Sequence, residues 1–304
     1  MSDVFSEYLL TDGQTDLVES LNYFLNTSKS ANSVFLLKGY AGTGKTFITK
    51  GLTEYLTAVG RQFTLLAPTG KAAKVVSDKT NQNAATIHRE IYSYDSIKEF
   101  SVNGLEGSET FRCYAEIKPN TDTSETVYII DESSMISDNY SDTEFFRFGS
   151  GHLLQDLLQF INIDHNDHNK KIIFIGDDAQ LPPVNMRFSP ALSSAYLLEK
   201  YQLACDSFEL TEVVRQKADS GVMKNATALR QALSNDVFNQ IYFDVSFDDI
   251  SSLNNNDVLT KFLSVCNGKI SNAKSAVIIA ASNNEVSVYN KLVREHFFPE
   301  KYHI

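Results

Sequence analysis

The sequence predicts an α/β fold in which a parallel sheet carries helices on both faces. Short apolar runs of strand length alternate along the chain with longer segments whose apolar residues recur at helical spacing. A glycine-rich loop, Gly39–Thr46, stands between the first of these runs and the helix that follows it. Because each helix returns the chain to the same edge of the sheet, successive strands of this kind pair in parallel.

The first predicted element is a helix capped by Thr11 or Asp12. Its apolar face consists of Leu17, Val18, Leu21, Phe24 and Leu25. Buried strands are predicted at Ser33–Leu37, Phe63–Ala67, Thr126–Ile130 and Lys171–Ile175. Further helices are predicted at Phe47–Leu56, within Pro68–Val76, and at Ala85–Tyr92, His152–Ile161 and Val222–Leu233.

The pattern changes between residues 93 and 126, where helical spacing is lost. Polar and apolar residues alternate in Lys98–Leu105 and Glu109–Ile117, which predicts a β-hairpin inserted into the core. Near the end, an apolar run at Ser275–Ala280 and a helical pattern at Ser282–Arg294 predict one further strand and helix. One such unit cannot close a sheet, so we expect an incomplete second α/β domain.

These elements divide the chain into three predicted parts. The first α/β domain comprises residues 1–92 and 122–217, and the inserted hairpin comprises residues 93–121. Residues 218–304 form a connecting helix and the start of the second domain.

Composition limits the classes of partner. With 27 basic against 38 acidic residues, the net charge is −11, so any track for nucleic acid must be local and narrow. The N-terminus lacks the features of a signal peptide and no apolar run is long enough to cross a bilayer. Three scattered cysteines have no metal or disulfide spacing, which suits a reducing cytoplasm.

The glycine-rich loop fits the pattern G-x-x-x-x-G-K-[ST] and lies between a strand and a helix, the context in which such loops bind phosphates. Backbone N–H groups would surround the α- and β-phosphates, Lys45 would reach the β- and γ-oxygens, and Thr46 would complete a Mg²⁺ shell. The alternative is a chance glycine turn. The predicted nucleotide-binding residues are Gly39, Ala41, Gly42, Thr43, Gly44, Lys45 and Thr46.

Acidic and polar residues follow the other strands. Asp131 would hold Mg²⁺, and Glu132 would take a proton from the attacking water. Alternatively, the two carboxylates only cap the following turn. Gln180, on the loop after the fourth strand, lies within reach of a γ-phosphate. The forked guanidinium of Arg215 suits phosphate oxygens.

Three further positions have both a structural and a functional interpretation. Gln14 is either a solvated glutamine at a helix start or an amide that offers a donor and an acceptor to an adenine edge. The Pro68–Lys71 loop, at the same sheet edge as the glycine-rich loop, is either structural or places Thr69 against another phosphate chain. His88 is either a packed histidine or a ligand.

Taken together, these segments resemble the superfamily 1 DNA helicases of the RecD/Dda-like branch. Asp131–Met135 and Gly176–Pro183 are far more specific for that family than the glycine-rich loop. The matching segments are Leu10–Gln14, Gly39–Thr46, Ala67–Ala73, Ala85–His88, Asp131–Met135, Gly176–Pro183 and Leu210–Gln216.

The resemblance implies a RecA-like first domain that hydrolyses ATP with Mg²⁺ while it holds single-stranded DNA without sequence preference. It implies that Gln14 binds adenine, that Gln180 couples the γ-phosphate to the strand, and that Arg215 touches the γ-phosphate. The hairpin matches the family's strand-separating pin in position. The residues that correspond to DNA contacts are Pro68, Thr69, Lys71, His88, Ser282 and Asn283.

The chain departs from the family after the second predicted domain begins. The family's Thr-x-His-x-x-Gln-Gly and Thr-Arg segments do not occur in the sequence. We therefore expect an incomplete motor with little unwinding of its own. Two alternatives stay open: a nucleoside triphosphatase of another class without DNA binding, and a non-catalytic fragment that only binds nucleotide.

Overall fold

A six-stranded parallel sheet is the centre of the fold, in the order β3-β2-β6-β8-β1-β9. The strands of the chain are β1 Val34–Gly39, β2 Phe63–Ala67, β3 Ala84–Thr86, β4 Lys98–Asn103, β5 Glu109–Ala115, β6 Val127–Ile130, β7 Phe146–Phe148, β8 Lys171–Gly176 and β9 Cys205–Leu210. The helices are α1 Ser2–Phe5, α2 Asp12–Asn26, α3 Lys45–Ala58, α4 Gly70–Thr80, α5 Ile87–Ile91, α6 Leu153–Ile161, α7 Ser194–Tyr201, α8 Gly221–Ser234, α9 Val258–Cys266 and α10 Asn283–Phe297.

This computed structural model describes residues 1–6, 8–27, 32–94, 98–103, 109–142, 146–163, 168–212, 220–235, 237, 242–269, 271 and 276–299. The chain divides into two units, residues 1–216 and 217–304. Within the described ranges, no helix is both long and apolar enough to cross a membrane.

The sheet is covered on both faces, as predicted. In β1, Val34 and Leu36 face one apolar cluster, whereas Phe35 and Leu37 face the other. The first cluster contains residues of α5, α6 and α7, and the second contains residues of α2 and α3. Burial of both faces explains why the central strands are continuous apolar runs rather than alternating ones.

The cap of α2 also agrees with its sequence. Thr11 is the N-cap, and its hydroxyl accepts a hydrogen bond from the backbone N–H of Gln14. The Gln14 side chain accepts one from the N–H of Thr11 in return, which completes a capping box. The five predicted apolar residues of this helix are buried.

The predicted hairpin is confirmed. Strands β4 and β5 pair antiparallel with Lys98 opposite Tyr114 and Asn103 opposite Glu109. A third strand, β7, pairs parallel with β5, so the hairpin belongs to a separate three-stranded sheet. Sequence reasoning missed β7 because three residues are too few to show a period.

The strand predicted at Ser275–Ala280 is wrong over the described residues, since residues 276–280 adopt no strand conformation. A strand needs a neighbour for its backbone N–H and C=O groups, and the described part of residues 217–304 has helices only. Strand β9 and helices α7 and α9 were not predicted. In β9, Asp206, Ser207 and Glu209 interrupt the apolar residues because this strand lies at the sheet edge.

Candidate nucleotide site

A cleft of about 470 Å³ lies at the carboxyl ends of the parallel strands. It brings together nine residues that the sequence singled out. These are Gln14, Ala41, Gly42, Gly44, Lys45, Thr46, Asp131, Glu132 and Gln180. Gly39 and Thr43 belong to the same loop but are buried, and they are not among the residues that line the cleft.

The glycine-rich loop adopts a conformation that requires glycine at two positions. Gly42 has φ +85° and Gly44 has φ +91°, both in the left-handed region. A Cβ atom on Gly44 would lie 2.5 Å from the side-chain nitrogen of Gln14. The loop ends at Gly44, the N-cap of α3, so the cleft also receives the positive end of that helix.

Lys45, the first residue of α3, folds back over the loop. Its Nζ donates to the carbonyl oxygens of Gly39 at 2.6 Å and of Tyr40 at 2.9 Å. These contacts hold the ammonium group at the cleft wall, and both acceptors are backbone groups of the same loop. A phosphate oxygen would offer this cation a charged acceptor instead.

Asp131 and Glu132 directly follow β6. The Asp131 N–H donates to the Leu66 carbonyl of β2 at 2.9 Å, and the Asp131 carboxylate accepts from the Glu132 N–H at 3.0 Å. Burial raises the pKa of Asp131, while the Glu132 N–H and Lys45 oppose the shift. Burial raises the pKa of Glu132 as well, and the Asp131 charge adds to the increase.

Glu132 has φ +53°, in the left-handed region that residues other than glycine seldom adopt. Such a conformation costs of order 1–3 kcal/mol and persists where the surroundings enforce it, often at functional sites. The strained backbone turns the chain directly after β6 and so fixes where the two carboxylates point. No sequence signal reports this conformation.

Gln14 links helix α2 to the loop. Its Nε2 donates to the Thr43 carbonyl oxygen at 3.1 Å, and the side chain is almost fully buried. In addition to its predicted place beside a base, Gln14 therefore supports the glycine-rich loop. This second contact was not foreseen, because residues 14 and 43 are far apart in sequence.

Gln180 lies on the loop after β8. Its N–H donates to the Asp177 carbonyl at 3.1 Å, and the Asp177 carboxylate accepts from the Ala179 N–H at 3.1 Å. These contacts form a tight turn that presents the exposed Gln180 side chain to the cleft. Arg215 lies outside the described residues.

The residues predicted to contact DNA lie outside this cleft. Thr69 is the N-cap of α4, and its hydroxyl accepts from the Ala72 N–H at 3.2 Å. Pro68 adjoins it, and Lys71 is exposed on the first turn of the same helix. Because β2 runs parallel to β6, this loop lies at the same sheet edge as the carboxylate pair.

The two remaining predicted positions are His88 and the Ser282–Asn283 pair. The His88 ring packs against those of Tyr92 and Phe148, with centroids 5.6 and 5.1 Å away. Burial lowers the pKa of His88. Ser282 caps α10 and Asn283 begins it, both in the unit of residues 217–304 and both exposed.

Five cleft residues were not singled out by the sequence: Tyr8, Leu9, Tyr40, Phe47 and Lys79. Tyr8 and Phe47 form an edge-to-face pair with centroids 5.1 Å apart. Leu9 is fully exposed, which is unusual for a leucine beside a helix start. Single aromatic or basic residues carry no motif, so only the fold could place them here.

The donor set of the cleft suits a nucleoside triphosphate with Mg²⁺. Loop N–H groups, a helix N-terminus and Lys45 suit phosphate oxygens, whereas the Thr46 hydroxyl and the Asp131 carboxylate are oxygen ligands of the kind that Mg²⁺ prefers. The close approach of Gly44 to Gln14 leaves no room for a side chain on the loop. The cleft thus has the chemistry of a phosphate-binding site beside a carboxylate pair.

The chain is similar to several known proteins. A family model described as an AAA domain matches residues 9–145. The ATP-dependent DNA helicase Dda of Enterobacteria phage T4 is 31% identical over 211 residues, which cover 69% of this chain and 40% of that protein. The ATP-dependent RecD2 DNA helicase of Deinococcus radiodurans is 28% identical over 200 residues, which cover 66% of this chain and 22% of that protein.

A third relative matches over nearly the whole chain. It is the uncharacterized protein R530 of Acanthamoeba polyphaga mimivirus, 26% identical over 295 residues, which cover 90% of this chain and 53% of that protein. The chain therefore spans about half, or less, of the length of these relatives. The resemblance to the superfamily 1 DNA helicases of the RecD/Dda-like branch, which the motifs predicted, is confirmed.

Proposed function

We propose that this chain is the ATP-binding and ATP-hydrolysing motor part of a DNA helicase that moves along single-stranded DNA. The observation that supports the proposal most directly is the convergence of Lys45, Thr46, Asp131, Glu132 and Gln180 on one cleft. These residue types match the parts that phosphoryl transfer from a triphosphate requires.

Each of these residues has a distinct task in the proposal. Thr46 and Asp131 would hold Mg²⁺, which would supply positive charge to the phosphates. Lys45 exchanges its two carbonyl acceptors for β- and γ-phosphate oxygens. Gln180 couples the γ-phosphate to the bound DNA strand.

Glu132 is the proposed general base. Burial and the neighbouring Asp131 charge raise its pKa, which makes it a stronger proton acceptor than an ordinary surface glutamate. Its left-handed backbone turns the chain directly after β6, and its side chain lines the same cleft as Asp131. Glu132 thus takes the proton of the attacking water and loses it again after product release.

In this proposal the base is held by Gln14, Tyr8, Leu9 and Phe47, which all line the cleft. The exposed Leu9 and the Tyr8–Phe47 pair offer apolar surface to a purine face. Gln14 offers the donor and acceptor of its amide to the adenine edge, as the resemblance implies.

The DNA-contacting residues remain Pro68, Thr69, Lys71, His88, Ser282 and Asn283 in this proposal. The Pro68–Lys71 loop supports it, because the loop lies at the same edge of the sheet as the carboxylate pair. The net charge of −11 implies that few phosphates are contacted at a time. Contacts of this kind go to the backbone and do not read sequence.

ATP turnover by the 304-residue chain with and without single-stranded DNA tests the proposal. We expect slow hydrolysis that rises with DNA, and little duplex unwinding. The described part of residues 217–304 has helices and no strand, so it supplies no second RecA-like sheet to assist the chemistry. Turnover indifferent to DNA would favour a triphosphatase of another class, and binding without turnover would favour a non-catalytic domain.

A further inference from the structure

Lys79 is a cleft residue that neither the motifs nor the proposed mechanism uses. It belongs to the last turn of α4, yet it lines the same cleft as Lys45, Asp131 and Glu132. Its side chain is exposed, and within the described part of the chain it makes no hydrogen bond or ion pair. An ammonium group in a phosphate-binding cleft without a protein partner is available to a ligand.

The charges of the cleft give Lys79 a specific place. Among the residues that line it, the charged ones are Lys45, Lys79, Asp131 and Glu132. Without Lys79, the cleft would have two carboxylates and one ammonium group, so its side chains would carry a net negative charge, as a triphosphate does. With Lys79 the positive and negative charges are equal in number, which favours binding of a polyanion.

Lys79 acts at the carboxylate end of the cleft. Lys79 lies close enough to Asp131 and Glu132 for its positive charge to act on both carboxylates. In the proposed function these carboxylates stand beside the terminal phosphate, because they line the same cleft as Lys45 and Thr46. The glycine-rich loop N–H groups, by contrast, serve the inner phosphates.

From this arrangement we infer that Lys79 contacts the γ-phosphate of bound ATP and thereby makes the cleft prefer the triphosphate over the diphosphate. The inference rests on the proposed function. It adds a cation from α4 to the lysine of the glycine-rich loop. ADP lacks the γ-phosphate, so after hydrolysis the bound nucleotide no longer contacts Lys79.

The same helix offers a matched control. Lys74 is also exposed but does not line the cleft. Lys74 lies five positions before Lys79, which places the two side chains about 140° apart around the helix axis. Replacement of either lysine by methionine keeps the apolar stem and removes only the charge.

The test compares equilibrium binding of a non-hydrolysable ATP analogue and of ADP, each with Mg²⁺ at low salt, in the wild type, K79M, K79R, K74M and K45A. We expect K79M to weaken the analogue about 5- to 20-fold, since Lys79 is exposed and its contact is partly screened. ADP affinity should change less than about twofold, because ADP lacks the phosphate that Lys79 contacts. K79R should stay near the wild type, and K74M should change neither affinity.

Each other outcome is decisive. Equal loss of both nucleotides in K79M, or no loss of either, overturns the γ-phosphate contact. If K45A loses both nucleotides while K79M matches the wild type, the proposed nucleotide site stands and the Lys79 inference fails. If the wild type binds neither nucleotide, the proposed function and the inference fail together.

Discussion

The side-chain amide of Gln14 donates a hydrogen bond to the carbonyl oxygen of Thr43 over 3.1 Å. This contact joins the first turn of α2 to the glycine-rich loop, and both residues are buried. The residue that the family resemblance assigns to adenine is therefore also a brace for the phosphate-binding loop. The two roles lead to different expectations for mutants.

Gln14→Ala should weaken binding of ATP and also of inorganic tripolyphosphate, because the loop loses its brace. It should also lower the free energy of unfolding by about 1–3 kcal/mol, since the buried Thr43 carbonyl loses its donor. Thr11→Ala is the control, because it removes a cap worth about 1 kcal/mol and leaves the Thr43 contact in place. Loss of ATP binding with tripolyphosphate binding intact would mean that Gln14 only reads the base.

Gly44→Ala should abolish nucleotide binding and destabilise the fold by more than the same change at Gly60. Both glycines have positive φ, +91° and +68°, so both variants incur a left-handed backbone cost of about 1–2 kcal/mol. Only at Gly44 would the new Cβ lie 2.5 Å from Gln14, whereas at Gly60 no atom lies within 4 Å. Calorimetric unfolding and nucleotide titration of both variants measure the difference. Equal destabilisation would show that Gln14 moves away freely.

Glu132→Gln should keep the affinity for ATP and lower turnover by about 10²–10⁴-fold, because the amide fills the same space but cannot accept a proton. Single-turnover hydrolysis and equilibrium titration separate the two effects. Glu125→Gln, an exposed glutamate just before β6, is the matched control and should change neither. If binding fell together with turnover, Glu132 would instead hold the metal or the local fold.

Binding of single-stranded DNA should be weak, indifferent to sequence and strongly dependent on salt. Each phosphate that the protein neutralises contributes about −0.7 to the slope of log affinity against log salt. Lys71→Ala should reduce the magnitude of that slope by one such step, whereas Lys74→Ala on the same helix should not. Fluorescence anisotropy over a salt series gives both slopes. A flat response with tight binding would indicate that base stacking dominates.

The core of the site was predictable because its chemistry is local in sequence. The Gly39–Thr46 loop and the Asp131–Glu132 pair each follow a buried strand, and parallel strands bring their carboxyl ends to one edge. The apolar face of α2 was equally visible, since a helical period repeats within a few residues.

The rest depends on contacts and conformations that no local pattern encodes. The left-handed backbone of Glu132 arises from its surroundings, and the Gln14–Thr43 bond spans two elements. Lys79 reaches the cleft from the far end of its helix, where the sequence shows only another surface lysine. The strand predicted at Ser275–Ala280 failed for the related reason that an apolar run forms a strand only where a neighbour accepts its hydrogen bonds.

The pairing of β7 with β5 changes what the hairpin is mechanically. A hairpin connected to the core only at its two ends could rotate about those two connections. Here Phe146, which follows the carboxylate pair in the chain, is in register with Cys113 of the hairpin, and Gly149 donates to the carbonyl of Ala115. This third attachment joins the hairpin to the segment downstream of Asp131 and Glu132, so the hairpin is restrained at three places rather than two.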